Sequence, residues 1–387
     1  MKVLLVNYEF KPQCGGAGYA TYNLAKELVR HSLNVDLLIG WDYSFGFPPD
    51  IPNVGYNVIS LKKKSIHESS IIGVAKFVIE GLIRIHKLTR KNRYDVIMFF
   101  FSVPTGILKY GIYGNTPYIC SLRGIDVPSS RKDKYRAVRN CLEYINSKIV
   151  RKADTVTALS SELSDWFNKV YPEIKVDVIP NGIDVRQYRK KNEYRKNVYR
   201  FVTVSRLIDC KNIELSMYAF KTVHEKYPEI ELDIYGEGYL HDHLQGVIDK
   251  ENMGDYVSLQ GYKSQEEIIG LLSDYDVFYL LTVADSFGQV FIEAMACGLP
   301  VICADIGGPK DIVVDHKTGI MAKANDKESA EKAIMYYIEH PEIARDHGIN
   351  GHERICNYFT IEYIAEMHIR LFEETVRKYS EEYLCNN

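Results

Sequence analysis

The stretch DSFGQVFIEAMACGLPVICAD, residues 285–305, decides the fold. It sets two carboxylates, Asp285 and Glu293, around a Gly-containing turn, Ser286-Phe287-Gly288. Residues 289–297 carry helical spacing and are stopped by Gly298 and Pro300, after which Val301-Ile302-Cys303-Ala304 reads as a buried strand. One carboxylate therefore precedes a helix N-terminus, and the other lies about one turn into that helix. The unpaired N–H groups and positive dipole end of a helix N-terminus suit phosphate. Carboxylates beside it accept hydrogen bonds from sugar hydroxyls. Together these features point to a nucleotide sugar.

Working outward, the same strand–turn–helix alternation fills the second half of the chain. Residues 200–205 read as a strand that ends in Arg206, with Lys211 just before a helix over 214–226. Two cations at a strand C-end and a helix N-end suit a diphosphate, although taken alone they read as surface charge. Strands follow at 231–235, 257–259 (ending at Gly261-Tyr262) and 277–281, with a helix over 265–272. The Asp274-Tyr275-Asp276 triplet precedes its strand, which puts it at the sheet edge away from the ligand side. Gly307-Gly308-Pro309 opens another turn, and helices are predicted over 327–339, 342–355 and 361–383, the last N-capped by Thr360.

The first half repeats the pattern. An apolar run over 2–8 reads as a buried parallel strand, followed by a loop containing Gly15 and Gly16 and a helix over 19–31. Those glycines let backbone approach a ligand, and by themselves they describe a plain strand-to-helix turn. Strands are predicted at 35–39, 95–101, 118–122, 155–159 and 176–179, a loop over 41–53, and helices over 71–89 and 131–151. The strand at 118–122 runs into Arg123-Gly124-Ile125-Asp126, a polar turn where open α/β sheets hold ligands. Pro180-Asn181-Gly182-Ile183-Asp184 is strong turn chemistry and reads as an interdomain hinge.

At 387 residues the chain is long enough for two cores, and 46% hydrophobic with 26% charged residues is ordinary for a water-soluble protein. Eight cysteines show no C-x-x-C pair and read as thiols of a reducing compartment. The apolar run at 3–6 is too short for a secretory leader, and the longest apolar stretch, 96–108, is too short to span a bilayer. A cytoplasmic location follows as an expectation. Residues 1–183 hold 25 Lys and Arg against 16 Asp and Glu, whereas residues 184–387 hold 23 against 35. A basic half and an acidic half argue for two domains.

These motifs together resemble the retaining glycosyltransferases of family 4. The resemblance covers nearly the whole chain and implies the GT-B fold: two Rossmann-like α/β domains with parallel sheets facing across a cleft, and a C-terminal helix crossing back. It implies an acceptor-binding domain over 1–183 plus 360–387 and a donor-binding domain over 184–359. Gly15 and Gly16 look like the family's N-terminal glycine loop, and Asn181-Gly182-Ile183-Asp184 like its hinge. Arg206 and Lys211 match the pair that binds the donor diphosphate. Asp285 and Glu293 match the two signature acids, the first beside the transferred sugar and the second on the ribose hydroxyls. The Phe287-Gly288-Gln289-Val290 turn would contact sugar and phosphate, and Gly261 and Tyr262 would flank the base. Two positions depart from the family pattern: Asp285 stands where Glu is usual, and Arg123 where His is frequent. Arg123 cannot act as a titrating base near neutrality, which leaves it, with Asp126, an acceptor-side role in binding phosphate or hydroxyl groups.

The resemblance implies retaining, metal-independent transfer of a hexose-type sugar, without cofactor. The donor would be a UDP-sugar in preference to a GDP-sugar. The acceptor would be a glycan or lipid-linked molecule of cell-surface polysaccharide or glycolipid synthesis, and the basic half would face the inner surface of the plasma membrane. Asp285, Arg206, Lys211 and Arg123 are the expected catalytic set, with no nucleic acid partner. The alternatives are a sugar-nucleotide epimerase on the same fold and a non-catalytic nucleotide-sugar-binding partner subunit.

Overall fold

Val, Ile, Leu and Phe dominate the short strands of this chain, and nearly every strand residue in the two sheet centres is fully buried. That composition requires parallel strands covered on both faces. The computed structural model describes residues 1–10, 16–41, 55–62, 71–124, 136–191 and 193–385. These divide into two compact units, Met1–Gly182 with Ile361–Asn387, and Ile183–Thr360. The boundaries fall at 182/183 and 360/361, not at 183/184 and 359/360, because Ile183 pairs as a β-bridge with Thr360 and donates to the Phe359 carbonyl at 3.0 Å.

The first unit contains β1 (Lys2–Asn7), β2 (Asn34–Trp41), β3 (Tyr56–Lys62), β4 (Val96–Phe100), β5 (Tyr118–Leu122), β6 (Thr155–Ala158) and β7 (Val176–Val178). They form one parallel sheet in the order β3-β2-β1-β4-β5-β6-β7. Its helices are α1 (Gly16–Arg30), α2 (Ile71–Lys91), α3 (Arg136–Val150), α4 (Ser161–Asn168) and, from the far end of the chain, α12 (Ile361–Cys385). Ile361, Ile364, Ala365 and Phe372 of α12 enter the same core as Leu24 and Leu28 of α1 and Val3 and Leu5 of β1.

The second unit contains β8 (Arg200–Val204), β9 (Glu231–Tyr235), β10 (Val257–Gly261), β11 (Val277–Leu280), β12 (Val301–Ala304) and β13 (Gly319–Ala322), parallel in the order β10-β9-β8-β11-β12-β13. Helices α5 (Ile213–His224), α6 (His241–Lys250), α7 (Gln265–Leu272), α8 (Gln289–Ala296), the short α9 (Pro309–Ile312), α10 (Lys327–Glu339) and α11 (Pro341–Tyr358) cover it. In each sheet the strand order reverses once, between β1 and β4 and between β8 and β11. Ligand sites of open α/β sheets form at such reversals, beyond the strand C-termini.

The sequence reading misses four of these elements, one being the single-turn α9, read only as a turn at Gly307-Gly308-Pro309. β3 has mixed polarity, and β13, GIMA, is four residues led by Gly319. α6 contains two histidines, Gly246 and three acid or base residues within ten positions. Helix α1 begins at Gly16, three residues before the predicted start, so Gly16 belongs to the helix and not to the loop. Gly15 and Asp126 lie outside the described residues, as does most of the predicted 41–53 loop.

Candidate functional site

Two connections flank the reversal point of the second sheet: the one after β8 and the one after β11. After β8 the chain makes a 3-10 turn, Asp209–Lys211, and enters α5 through Asn212 in the left-handed region. After β11 it passes Thr282, whose hydroxyl donates to the Cys210 carbonyl at 2.9 Å, and Val283, whose N–H donates to the same oxygen at 2.9 Å. These bonds tie the two connections together. They bring Lys211 and Asp285 into an ion pair, Nζ to Oδ2 at 2.5 Å, with side chains 12% and 15% exposed. The other Asp285 oxygen accepts from the Phe287 N–H at 3.2 Å. Both oxygens of Asp285 therefore have partners, and its short side chain is held on Lys211.

Gly288 caps α8 at φ +95°, and a Cβ there would lie 2.7 Å from Phe291 Cδ2. Only glycine takes this conformation without strain. It points the chain abruptly into α8, close behind the loop bearing Asp285. The Gly307-Gly308 turn closes over this loop from β12. Gly308 donates its N–H to the Asp285 carbonyl at 2.8 Å, and a Cβ on Gly308 would sit 2.3 Å from Phe287 Cα. Phe287 itself is buried, with its ring 6.4 Å from Phe359; Gln289 and Val290 are half-buried on the first turn of α8.

Glu293 lies one turn further along α8 and is 6% exposed. Its Oε1 accepts from Gln265 Nε2 of α7 at 3.1 Å, and Gln289 and Tyr188 also bond to the carboxyl. All three partners are neutral. Burial pushes its pKa up to about 7, and these hydrogen bonds only partly offset the rise. A ligand hydroxyl that donates to it favours the ionised form. Gln265 and Tyr188 are missed by sequence reasoning, because neither sits in a motif and each meets Glu293 only through the fold.

Arg206 follows β8 with its side chain exposed. The β9 and β10 ends pack closely there: Leu207 N–H donates to the Glu237 carbonyl at 2.9 Å and Gly236 N–H to the Gly261 carbonyl at 2.8 Å. Gly236 and Gly238 are obligatory, since a Cβ on either would come within 2.2 Å of the Ser205 or Leu207 carbonyl oxygen. Glu237, Gly238, His241 and Gly261 line an open recess at this edge, and Tyr262 beside it is 64% exposed. At the opposite end of β11, Asp276 is buried on Lys191 at 2.9 Å and accepts from the Tyr199 and Arg200 N–H groups at 3.1 Å. Its part of the Asp274-Tyr275-Asp276 triplet is thus a structural ion pair.

In the first unit, Arg123 leaves β5 and is 7% exposed. Its Nη1 donates to Asn181 Oδ1 at 2.7 Å, and the guanidinium lies 4.5 Å from the Phe100 ring centroid. Buried His368 of α12 donates from Nδ1 to the Ile364 carbonyl at 2.8 Å; burial, aided by the Arg123 charge, pushes its pKa down to about 4. Arg123 thus holds the turn at Asn181, a commitment its position in the sequence does not reveal. At the first sheet's reversal, Asn7 donates to Thr21 Oγ1 at 2.7 Å, fixing α1 on β1.

The family model described as Glycosyltransferase Family 4 matches residues 14–187, and that described as Glycosyl transferases group 1 matches residues 184–354. N-acetyl-alpha-D-glucosaminyl L-malate synthase of Bacillus anthracis is 21% identical over 95% of this chain and 96% of its own length. Sucrose-phosphate synthase of Thermosynechococcus elongatus superposes with a TM-score of 0.80 at 20% identity, covering 97% of this chain and 98% of that one. HepE of Anabaena in complex with UDP-glucose gives 0.75 at 18% identity, covering 98% and 100%. With one half matched by each model and the two parallel-sheet units shared with GT-B structures, the chain belongs to glycosyltransferase family 4.

Proposed function

We propose that the chain transfers a hexose-type sugar from a nucleotide sugar, with UDP-sugars preferred over GDP-sugars, to a glycan or lipid-linked acceptor with retention of configuration. The observation that carries this reading is the Lys211–Asp285 ion pair at the sheet reversal, beside the N-terminus of α8. A diphosphate arriving there meets Lys211, the exposed Arg206 and the N-terminal end of the α8 dipole. These positive groups stabilise charge that grows on the leaving phosphate, an effect worth roughly 3–4 kcal/mol per key donor. Asp285 orients Lys211 and faces the sugar side, while Glu293 accepts from ribose hydroxyls. Gly261 and Tyr262 border the base side at the open recess. HepE, bound to UDP-glucose in its solved structure, supports the choice of UDP.

In this reading the acceptor hydroxyl oxygen bonds to the sugar anomeric carbon as the bond from that carbon to the phosphate oxygen breaks. The hydroxyl proton passes to the leaving phosphate oxygen, so no side-chain base is required and Arg123 need not serve as one. The positive charge comes from the protein, and the reading needs no metal. The acceptor side belongs to the first unit.

Thermal-shift measurements with UDP-glucose, UDP-N-acetylglucosamine and GDP-mannose test the donor assignment, since a ligand raises apparent stability by mass action. At least one UDP-sugar should raise the Tm, and Lys211→Ala and Glu293→Ala should abolish that shift. Absence of a shift with every donor, or an undiminished shift in Glu293→Ala, overturns the site. Release of free UDP only in the presence of an acceptor, followed by NMR of the product's anomeric proton, separates retaining transfer from epimerisation of the donor.

A further inference from the structure

One side chain of α11 joins two supports of the 285–288 loop. Helix α9 is a single turn, Pro309–Ile312, and its last carbonyls have no partner within the helix. Arg354 supplies one: its Nε donates to the Ile312 carbonyl at 2.7 Å and its Nη2 to the Asp311 carbonyl at 2.8 Å. The same guanidinium lies 5.7 Å from the ring centroid of Phe359. Each of these partners reaches the loop. Just before α9, Gly308 donates to the Asp285 carbonyl at 2.8 Å, and a Cβ on Gly307 would lie 2.6 Å from that oxygen. The Phe359 ring, 4% exposed, lies 6.4 Å from the Phe287 ring. Phe359 is itself pinned by its backbone: its N–H donates to the Ile355 carbonyl and its carbonyl accepts from the Ile183 N–H, both at 3.0 Å. The loop is thus braced at Asp285 by the turn into α9 and at Phe287 by Phe359, and Arg354 holds both braces.

We infer that Arg354 is a positioning residue for the proposed sugar transfer: through α9 and Phe359 it holds the 285–288 loop where Asp285 meets Lys211. The inference rests on the donor reading above, since it gives Arg354 a part in the reaction through a loop that receives the donor. A planar guanidinium suits this task and an ammonium does not. Two N–H groups in one plane reach two successive carbonyls while the flat face packs on an aromatic ring, whereas lysine offers a point charge. The path from α9 to the loop has no slack. Gly307 and Gly308 meet residues 285–287 through backbone atoms, which cannot rotate aside, so a shift of α9 becomes a shift of Asp285. That shift displaces the ion-pair partner of Lys211.

Hydrogen exchange of the full chain without ligand tests the brace, and UDP release tests its use. Arg354→Met should quicken exchange over 285–289 and 307–312 by at least about tenfold, the effect of losing charge-assisted hydrogen bonds, and leave β8 and α10 at the parent rate. With UDP-glucose or UDP-N-acetylglucosamine, whichever raises the parent's Tm, Arg354→Met should lower kcat about a hundredfold, as a displacement of about 1 Å at a reacting centre does. KM should change less than about threefold, because Arg206 and Glu293 lie outside the braced loop. Arg354→Lys keeps the charge without the fork and should behave as Arg354→Met. Phe359→Leu keeps an apolar side chain without the ring and should show the same pattern to a smaller degree. Unchanged exchange in the loop, a uniform rise across the second unit, or parent-like kcat in both Arg354 variants overturns the inference and leaves the donor reading standing. A parent chain whose Tm no nucleotide sugar raises overturns both.

Discussion

Glu293 is the residue whose chemistry is most altered by its surroundings. Its carboxyl titrates near 4.5 in an unfolded chain and about 7 in the folded one. The folded state therefore holds a proton that the unfolded state has lost. The stability this contributes is complete below pH 4.5, declines as pH rises from there to about 7, and is absent above. The full swing is on the order of 3 kcal/mol. Urea unfolding of Glu293→Gln should consequently show weaker pH dependence and greater stability than the parent at pH 8. Donor affinity should move in the opposite sense. If Glu293 holds the ribose hydroxyls as proposed, it does so ionised, and calorimetric binding of UDP to the parent should be about tenfold weaker at pH 6 than at pH 8. That slope should vanish in Glu293→Gln. Gly288 makes a second prediction at this scale. Alanine there must hold φ +95° with its Cβ 2.7 Å from Phe291, so Gly288→Ala should cost about 2 kcal/mol or more by urea unfolding.

At the scale of elements, the proposed donor loop is built by close backbone contact between connections. The β12 turn lies on the β11 loop so tightly that a Cβ on Gly308 would strike Phe287 Cα and carbonyl oxygen, at 2.3 and 2.4 Å. Backbone atoms cannot rotate aside, so Gly308→Ala must move the loop. A displacement of about 1 Å at a reacting centre costs on the order of a hundredfold in rate. UDP-release kinetics on Gly308→Ala should therefore show kcat/KM reduced about a hundredfold, while far-UV circular dichroism keeps its helix signal. A smaller effect would mean that the loop does not position the donor. The glycines at 307 and 308 are visible in the sequence as a turn; their role against residues 285–287, distant along the chain, is not. The same holds for Arg123. Its place after a predicted strand is readable, and its bond to Asn181 depends on β5 and the 180–184 turn meeting in three dimensions.

At the scale of the molecule, the chain makes two parallel-sheet units, and the first is completed by its last helix. Phe372 of α12 is fully buried in the core that includes β1 and α1. Phe372→Ala should therefore destabilise the first unit by about 3–5 kcal/mol. The second unit carries the proposed donor residues, so UDP should still bind the variant at temperatures where the first unit remains folded. Calorimetry should show a lowered transition for the first unit beside a UDP-shifted transition for the second. Loss of UDP binding below both transitions would show that the donor site depends on the first unit's packing.

Much of this protein is legible in its residues. Near-continuous apolar strands separated by helical spacing require parallel sheets, and the DSFGQVFIEAMACGLPVICAD stretch places a carboxylate before a helix start and another one turn in. Those features are local, and local backbone preference together with burial of apolar side chains is enough to produce them. Short or mixed elements such as β3, α6 and β13 escape the reading because their pattern is too weak without neighbours. The tertiary structure decides the partners. Lys211 meets Asp285 because sheet order reverses between β8 and β11; Gln265 and Tyr188 surround Glu293 because helix packing brings distant segments together. The sequence by itself determines which groups can carry charge and where chain direction must turn. Which of those groups share a desolvated space, and therefore what each can hold or release, depends on long-range strand order and close backbone packing.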